Sequence, residues 1–143
     1  MIVAVDTFYF ESSSRTAMVC FNQWTDRAPS EESVSCRFEE PNAYVPGQFF
    51  KRELPCILDA IRSLNQRVNT IVIDGYVWLD NDESPGLGAY LYEELEQAVK
   101  VVGVAKNRLV RGGGIELYRG RSNRPLVVTA AGESDVTAAR HIR

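Results

Sequence analysis

The sequence predicts a mixed α/β fold in which an antiparallel three-strand meander joins parallel βα units and helices flank the sheet. Three observations predict it. Two apolar runs, Ile2-Val3-Ala4-Val5-Asp6 and Thr70-Ile71-Val72-Ile73-Asp74, each end abruptly in a carboxylate, as buried strands do when they deliver an acid to the edge of a sheet. From Phe49 to Leu64 the apolar residues recur at helical spacing. The elements then follow the order strand, strand, strand, helix, strand, helix, strand, which is the order of a meander followed by βα crossovers. With 143 residues, 45% of them apolar, the chain reads as one domain over residues 1–143 with material for a real core.

Residues 2–10 form the first strand, and Thr16 to Asn22 forms a second after the polar turn Glu11-Ser12-Ser13-Ser14-Arg15. Asp26 to Glu32 is a loop. Ser33 to Phe38 alternates polar and apolar residues like a half-exposed edge strand. In the first helix, Phe50, Leu54, Ile57, Leu58, Ile61 and Leu64 make the apolar stripe, and Glu53 falls inside it. Pro55 is tolerated only in a first turn, so the regular helix is expected to begin near Glu53. Asn69 to Gly75 is the second acid-terminated strand, and Leu79 to Pro85 is an acidic loop. A second helix is expected from Leu87 to Val99, with Leu91, Leu95 and Ala98 inward. Lys100 to Ala105 is a short apolar strand ending at Lys106. A glycine hinge at residues 112–114 leads to a hairpin from Ile115 to Thr129 turning at Arg121-Ser122-Asn123, and a last helix starts near Ser134.

Composition narrows the chemistry. Cys20, Cys36 and Cys56 are odd in number and lack a CxxC pattern, which argues against a disulfide framework or a zinc site. His141 is the single histidine, so a histidine base or a His-rich metal site has almost nothing to work with. Carboxylate chemistry is the default. The start of the chain lacks the features of a signal peptide and no run approaches membrane-spanning length, so a soluble cytoplasmic protein is expected. The net charge is −3, but residues 1–99 carry −9 and residues 100–143 carry +6. Such asymmetry gives an acidic protein a basic face suited to nucleic acid.

Sites in mixed sheets form at the carboxyl ends of strands where the winding direction changes. Asp6 and Asp74 fall there if their strands are neighbours. Brought together with Glu53, they make an oxygen-only set of donors suited to Mg²⁺ or Mn²⁺, which points to phosphodiester chemistry. One acid after a strand is ordinarily a turn or cap residue, and Lys106 alone is an ordinary surface lysine. It is their combination that carries information.

Four segments in register resemble the endonuclease V family of the RNase H-like superfamily: Val5-Asp6; Tyr44-Val45-Pro46-Gly47 with Lys51-Arg52-Glu53; Ile73-Asp74-Gly75; and Gly103-Val104-Ala105-Lys106-Asn107. The resemblance runs from about residue 2 to residue 140. It implies an RNase H-like mixed sheet and a divalent-metal-dependent endonuclease that cuts DNA or RNA near a deaminated base, hypoxanthine or inosine. It further implies that Asp6, Glu53 and Asp74 hold Mg²⁺ or Mn²⁺ and that Lys106 contacts the scissile phosphate. By the same resemblance Tyr44, Val45, Pro46 and Gly47 wedge into the gap left by the extruded base, and Gly75 lies against the nucleic acid.

The chain departs from the family pattern after Asp74, where Gly75-Tyr76-Val77-Trp78-Leu79 replaces a glycine and a histidine-proline pair that shape the base pocket. Glu133 stands where the family has a histidine, and the chain reads as a short, divergent member. Asp80, Asp82, Glu133 and Asp135 are candidates for a further ligand. Two other readings remain open: a nucleic-acid- or protein-binding module that has lost turnover, and a nuclease of the same chemistry directed at undamaged branched or single-stranded substrates.

Overall fold

The computed structural model of the chain describes residues 1–38 and 50–143. Tyr44, Val45, Pro46 and Gly47 lie outside the described residues. The elements in chain order are β1 (Ile2–Tyr9), β2 (Ser14–Phe21), β3 (Glu31–Arg37), α1 (Phe50–Arg62), β4 (Thr70–Asp74), α2 (Leu87–Glu94), β5 (Lys100–Ala105), β6 (Ile115–Leu117), β7 (Leu126–Ala131) and α3 (Asp135–Ile142).

Among the described residues the strands form one seven-stranded mixed sheet in the order β3-β2-β1-β4-β5-β7-β6. The first three strands are the predicted antiparallel meander. β1, β4 and β5 run parallel, with Val5 opposite Ile73 and Asp74 opposite Val104. β5 pairs antiparallel with β7, and β7 with β6. The alternating pattern of the strands sorts apolar side chains onto two faces. Val3, Val5, Ile71, Ile73 and Val101 pack under α1 and α2, whose Ile57, Ile61 and Leu91 are buried. Val102, Leu126, Val128 and Ala130 pack under Ala138 and Ala139 of α3. Among the described residues no helix is long and apolar enough to cross a membrane.

Four boundaries differ from the sequence expectation. Ser14 and Arg15 belong to β2 rather than to a turn: Ser14 is buried, its hydroxyl 3.2 Å from the Cys56 thiol, so α1 provides the cover that the polar run lacks. β3 starts at Glu31 because that residue pairs with Cys20. α1 runs from Phe50 with Pro55 inside it rather than in its first turn. α2 stops at Glu94 because Glu96 and Gln97 take positive φ values of 54° and 58°, which end the helix and leave Ala98 exposed.

Candidate nuclease site

β1 and β4 are hydrogen-bonded neighbours, and the register that sets Val5 beside Ile73 brings the next residues, Asp6 and Asp74, to the same end of the sheet. Both carboxylates are exposed. Glu53 reaches this end from α1 and is only 6% exposed. Burial, then the charge of Asp6, then that of Asp74 push its carboxyl up to about 7, so at neutral pH it sits at the edge of ionisation. The two strand acids and the helix acid therefore share one electrostatic field.

Lys106 follows β5 directly and points at the same end. Its ammonium donates to Asp74 Oδ2 at 2.9 Å, and that hydrogen bond, with the charges of Asp74 and Asp6, raises its pKa. Behind Glu53 the Arg52 guanidinium lies 3.8 Å from the centre of the Tyr9 ring. The Tyr9 hydroxyl is buried, and burial followed by the Glu53 charge pushes its pKa well above the usual phenol value. The neighbourhood of Glu53 is thus one in which negative charge is poorly solvated.

Beside Asp74 and Gly75 opens a cavity of about 350 Å³ walled by Phe50, Tyr76, Leu79, Leu87, Tyr90 and Leu109. Phe50 and Tyr90 stack with ring centres 4.0 Å apart. The segment after Asp74 is pinned by side chains that the sequence does not advertise. Tyr76 donates its hydroxyl to the Asn107 carbonyl at 2.7 Å, the Val77 amide donates to Thr129 Oγ1 at 2.8 Å, and the Trp78 indole donates to the Ala130 carbonyl at 2.8 Å. Gly75 has a φ of 147°, and Gly103 leaves space for it: a Cβ on Gly103 would stand 2.5 Å from the Gly75 carbonyl oxygen.

Asp80, Glu133 and Asp135, candidates for a further ligand, instead line a separate cavity of about 440 Å³ together with Glu83 and Trp78, and Asp82 lies in the adjoining exposed loop. Glu133 pairs with Lys100 at 3.0 Å, at the start of β5 and so at the opposite end of that strand from Lys106. Among the described residues no three His, Cys, Asp or Glu side chains are gathered to hold a metal ion as they stand, and Asp74 is engaged by Lys106. The donor chemistry of Asp6, Glu53 and Asp74 nonetheless fits a hard divalent cation: all three offer carboxylate oxygens, and a cation would offset the burial and the Asp6 and Asp74 charges that push the Glu53 carboxyl up.

Over residues 1–140 the sequence matches the family described as Endonuclease V. Two solved structures share the fold. The endonuclease V of Streptomyces avermitilis is 22% identical with a TM-score of 0.68, over 92% of this chain and 64% of that one. The endonuclease V of Bacillus subtilis is 17% identical with a TM-score of 0.70, over 99% of this chain and 68% of that one. This chain therefore spans about two thirds of the length of each. No curated protein matches it.

Proposed function

This chain belongs to the endonuclease V family, and from that premise we propose that it is a divalent-metal-dependent endonuclease that cleaves a phosphodiester of DNA or RNA near a deaminated base, hypoxanthine or inosine. The observation that carries the reading is the coupling of three carboxylates at one sheet end, with Lys106 against one of them. In this reading Asp6, Glu53 and Asp74 hold Mg²⁺ or Mn²⁺. When bound, the ion supplies positive charge that acidifies the attacking water and offsets charge on the departing 3′ oxygen. Glu53, in its carboxylate form, would orient the attacking water. Lys106 leaves Asp74 for the scissile phosphate and stabilises the charge that develops there. Tyr44, Val45, Pro46 and Gly47 wedge open the stack, and the extruded base enters the aromatic cavity beside Gly75.

The test is incubation of purified protein with inosine-containing and control oligonucleotides in Mg²⁺, Mn²⁺ or EDTA. Cleavage that needs the metal and is lost in Asp6→Ala and Asp74→Ala supports the reading. Absence of metal-dependent cleavage of any DNA or RNA would sink it. One observation favours a second reading, a module that binds without cutting: Asp74 is ion-paired to Lys106, and among the described residues no three acids are gathered closely enough to hold a metal ion. Salt-sensitive binding that needs no metal, without cleavage, would identify that module.

A further inference from the structure

Three of the nine basic residues of 100–143, Arg119, Arg121 and Arg124, lie in the turn between β6 and β7. β7 pairs with β5 so that Val127 sits opposite Ala105, and with β6 so that Leu126 sits opposite Leu117. The turn between β6 and β7 therefore projects from the same end of the sheet as Lys106 and Asp74. It is a built turn: the Ser122 amide donates to the Arg119 carbonyl at 3.0 Å, the Arg124 amide to Ser122 Oγ at 3.2 Å, and Gly120 takes a φ of 52°. Arg119, Arg121 and Arg124 on it are exposed, and among the described residues none has an ion-pair partner.

An aromatic ring, Tyr118, adjoins this turn at the end of β6. Arg108 donates to Glu116 Oε2 at 2.6 Å and to the Tyr118 hydroxyl at 2.8 Å. The hydroxyl is thereby held while the residue stays 59% exposed. A held, exposed ring followed in the chain by the unpaired Arg119, Arg121 and Arg124 has the chemistry of single-strand binding, where a base stacks on the ring and cations track the phosphates. The opposite sheet edge offers the reverse: β3 presents Glu31 and Glu32, both exposed.

We propose that the β6–β7 turn is a track for a single-stranded segment of the substrate leading away from the cleaved phosphate, with Arg119, Arg121 and Arg124 on phosphates and a base stacked on Tyr118. This rests on the nuclease reading and specifies which side of the site the substrate occupies. Binding of labelled single-stranded and duplex oligonucleotides to the full chain, with Ca²⁺ in place of Mg²⁺, is followed across a salt titration. In the triple variant Arg119→Gln, Arg121→Gln, Arg124→Gln, the slope of log affinity against log salt falls in magnitude by about 2, at about 0.7 per single-strand phosphate contact. Tyr118→Ala weakens single-strand binding on the order of tenfold, and Tyr118→Phe, which keeps the ring, restores it. Duplex binding does not respond to Tyr118→Ala, and the melting temperatures of all variants match the wild type. An unchanged slope in the triple variant, or Tyr118→Ala equal to wild type, overturns the track while wild-type cleavage leaves the nuclease reading standing. A wild type that neither binds nor cuts any oligonucleotide overturns both.

Discussion

Glu53 concentrates the tension of the site in one side chain. A carboxyl that holds its proton more tightly in the folded than in the unfolded state favours folding only while it is protonated. Its folded value of about 7 lies above the ordinary 4.5, so the protein loses stability as pH rises between those values and keeps the penalty above them. Glu53→Gln carries no such charge. At pH 8 it is expected to be more stable than wild type by on the order of 3 kcal/mol, with the difference gone at pH 4 and cleavage lost throughout. Urea denaturation at the two pH values checks this, and equal stabilities at pH 8 would show that Glu53 is not buried against Asp6 and Asp74. Lys106 presents the opposite case. Its pair with Asp74 is exposed, so it adds little to the fold, and Lys106→Ala is expected to leave the melting temperature unchanged. Cleavage is expected to fall about a hundredfold or more, the scale of losing one donor to developing charge. At this scale the sequence identified the residue types but not their state. Glu53 reads as an acid in an apolar stripe; its burial in the folded chain, followed by the charges of the two strand-end acids, makes it half-neutral.

Elements were more legible than residues because their signals are local. The acid-terminated runs became β1 and β4, the helical stripe became α1, and Lys100 to Ala105 became β5. The errors came where distant groups decide the outcome. Ser14 reads as turn and is a buried strand residue because Cys56 of α1 meets its hydroxyl. The segment after Asp74 shows no regular pattern, and its path is set by Asn107, Thr129 and Ala130 across the sheet. Gly103 belongs to the same arrangement. Gly103→Ala places a methyl 2.5 Å from the Gly75 carbonyl oxygen and 2.9 Å from the Val77 amide nitrogen, both backbone atoms that cannot swing aside. A loss of about 1–3 kcal/mol in stability is expected, with a fall in cleavage because Asp74 shifts with its neighbour. A variant that melts and cuts like wild type would show that this close approach does not exist. On the other face, Ser134 caps α3 by accepting from the Thr137 amide at 3.1 Å. Ser134→Ala is expected to cost about 1 kcal/mol by thermal melting and to leave cleavage intact, since α3 covers β7 and not the acids.

For the whole molecule, the sheet order is what brings Asp6 and Asp74, far apart in the chain, to one end of the sheet. A cation that binds the folded chain and not the unfolded one stabilises it by mass action. Mn²⁺ at about a hundred times its dissociation constant is expected to add about 2.7 kcal/mol to wild type and nothing to Asp6→Asn, Asp74→Asn. A melting temperature indifferent to Mn²⁺ and Mg²⁺ would remove the metal from the reading, independently of any cleavage assay. The sequence by itself determined the mixed α/β class, the acid-ended strands, the apolar stripe of α1 and the family, because periodicity and short motifs are written within a few residues of one another. Only the tertiary structure decided that Asp6 and Asp74 share an end of the sheet, that Lys106 engages Asp74, that Asp80, Glu133 and Asp135 line a different cavity, and that the β6–β7 turn projects from the sheet end that carries Lys106. Those facts follow from strand register and crossover, which pair residues far apart in the chain and leave no local pattern to read.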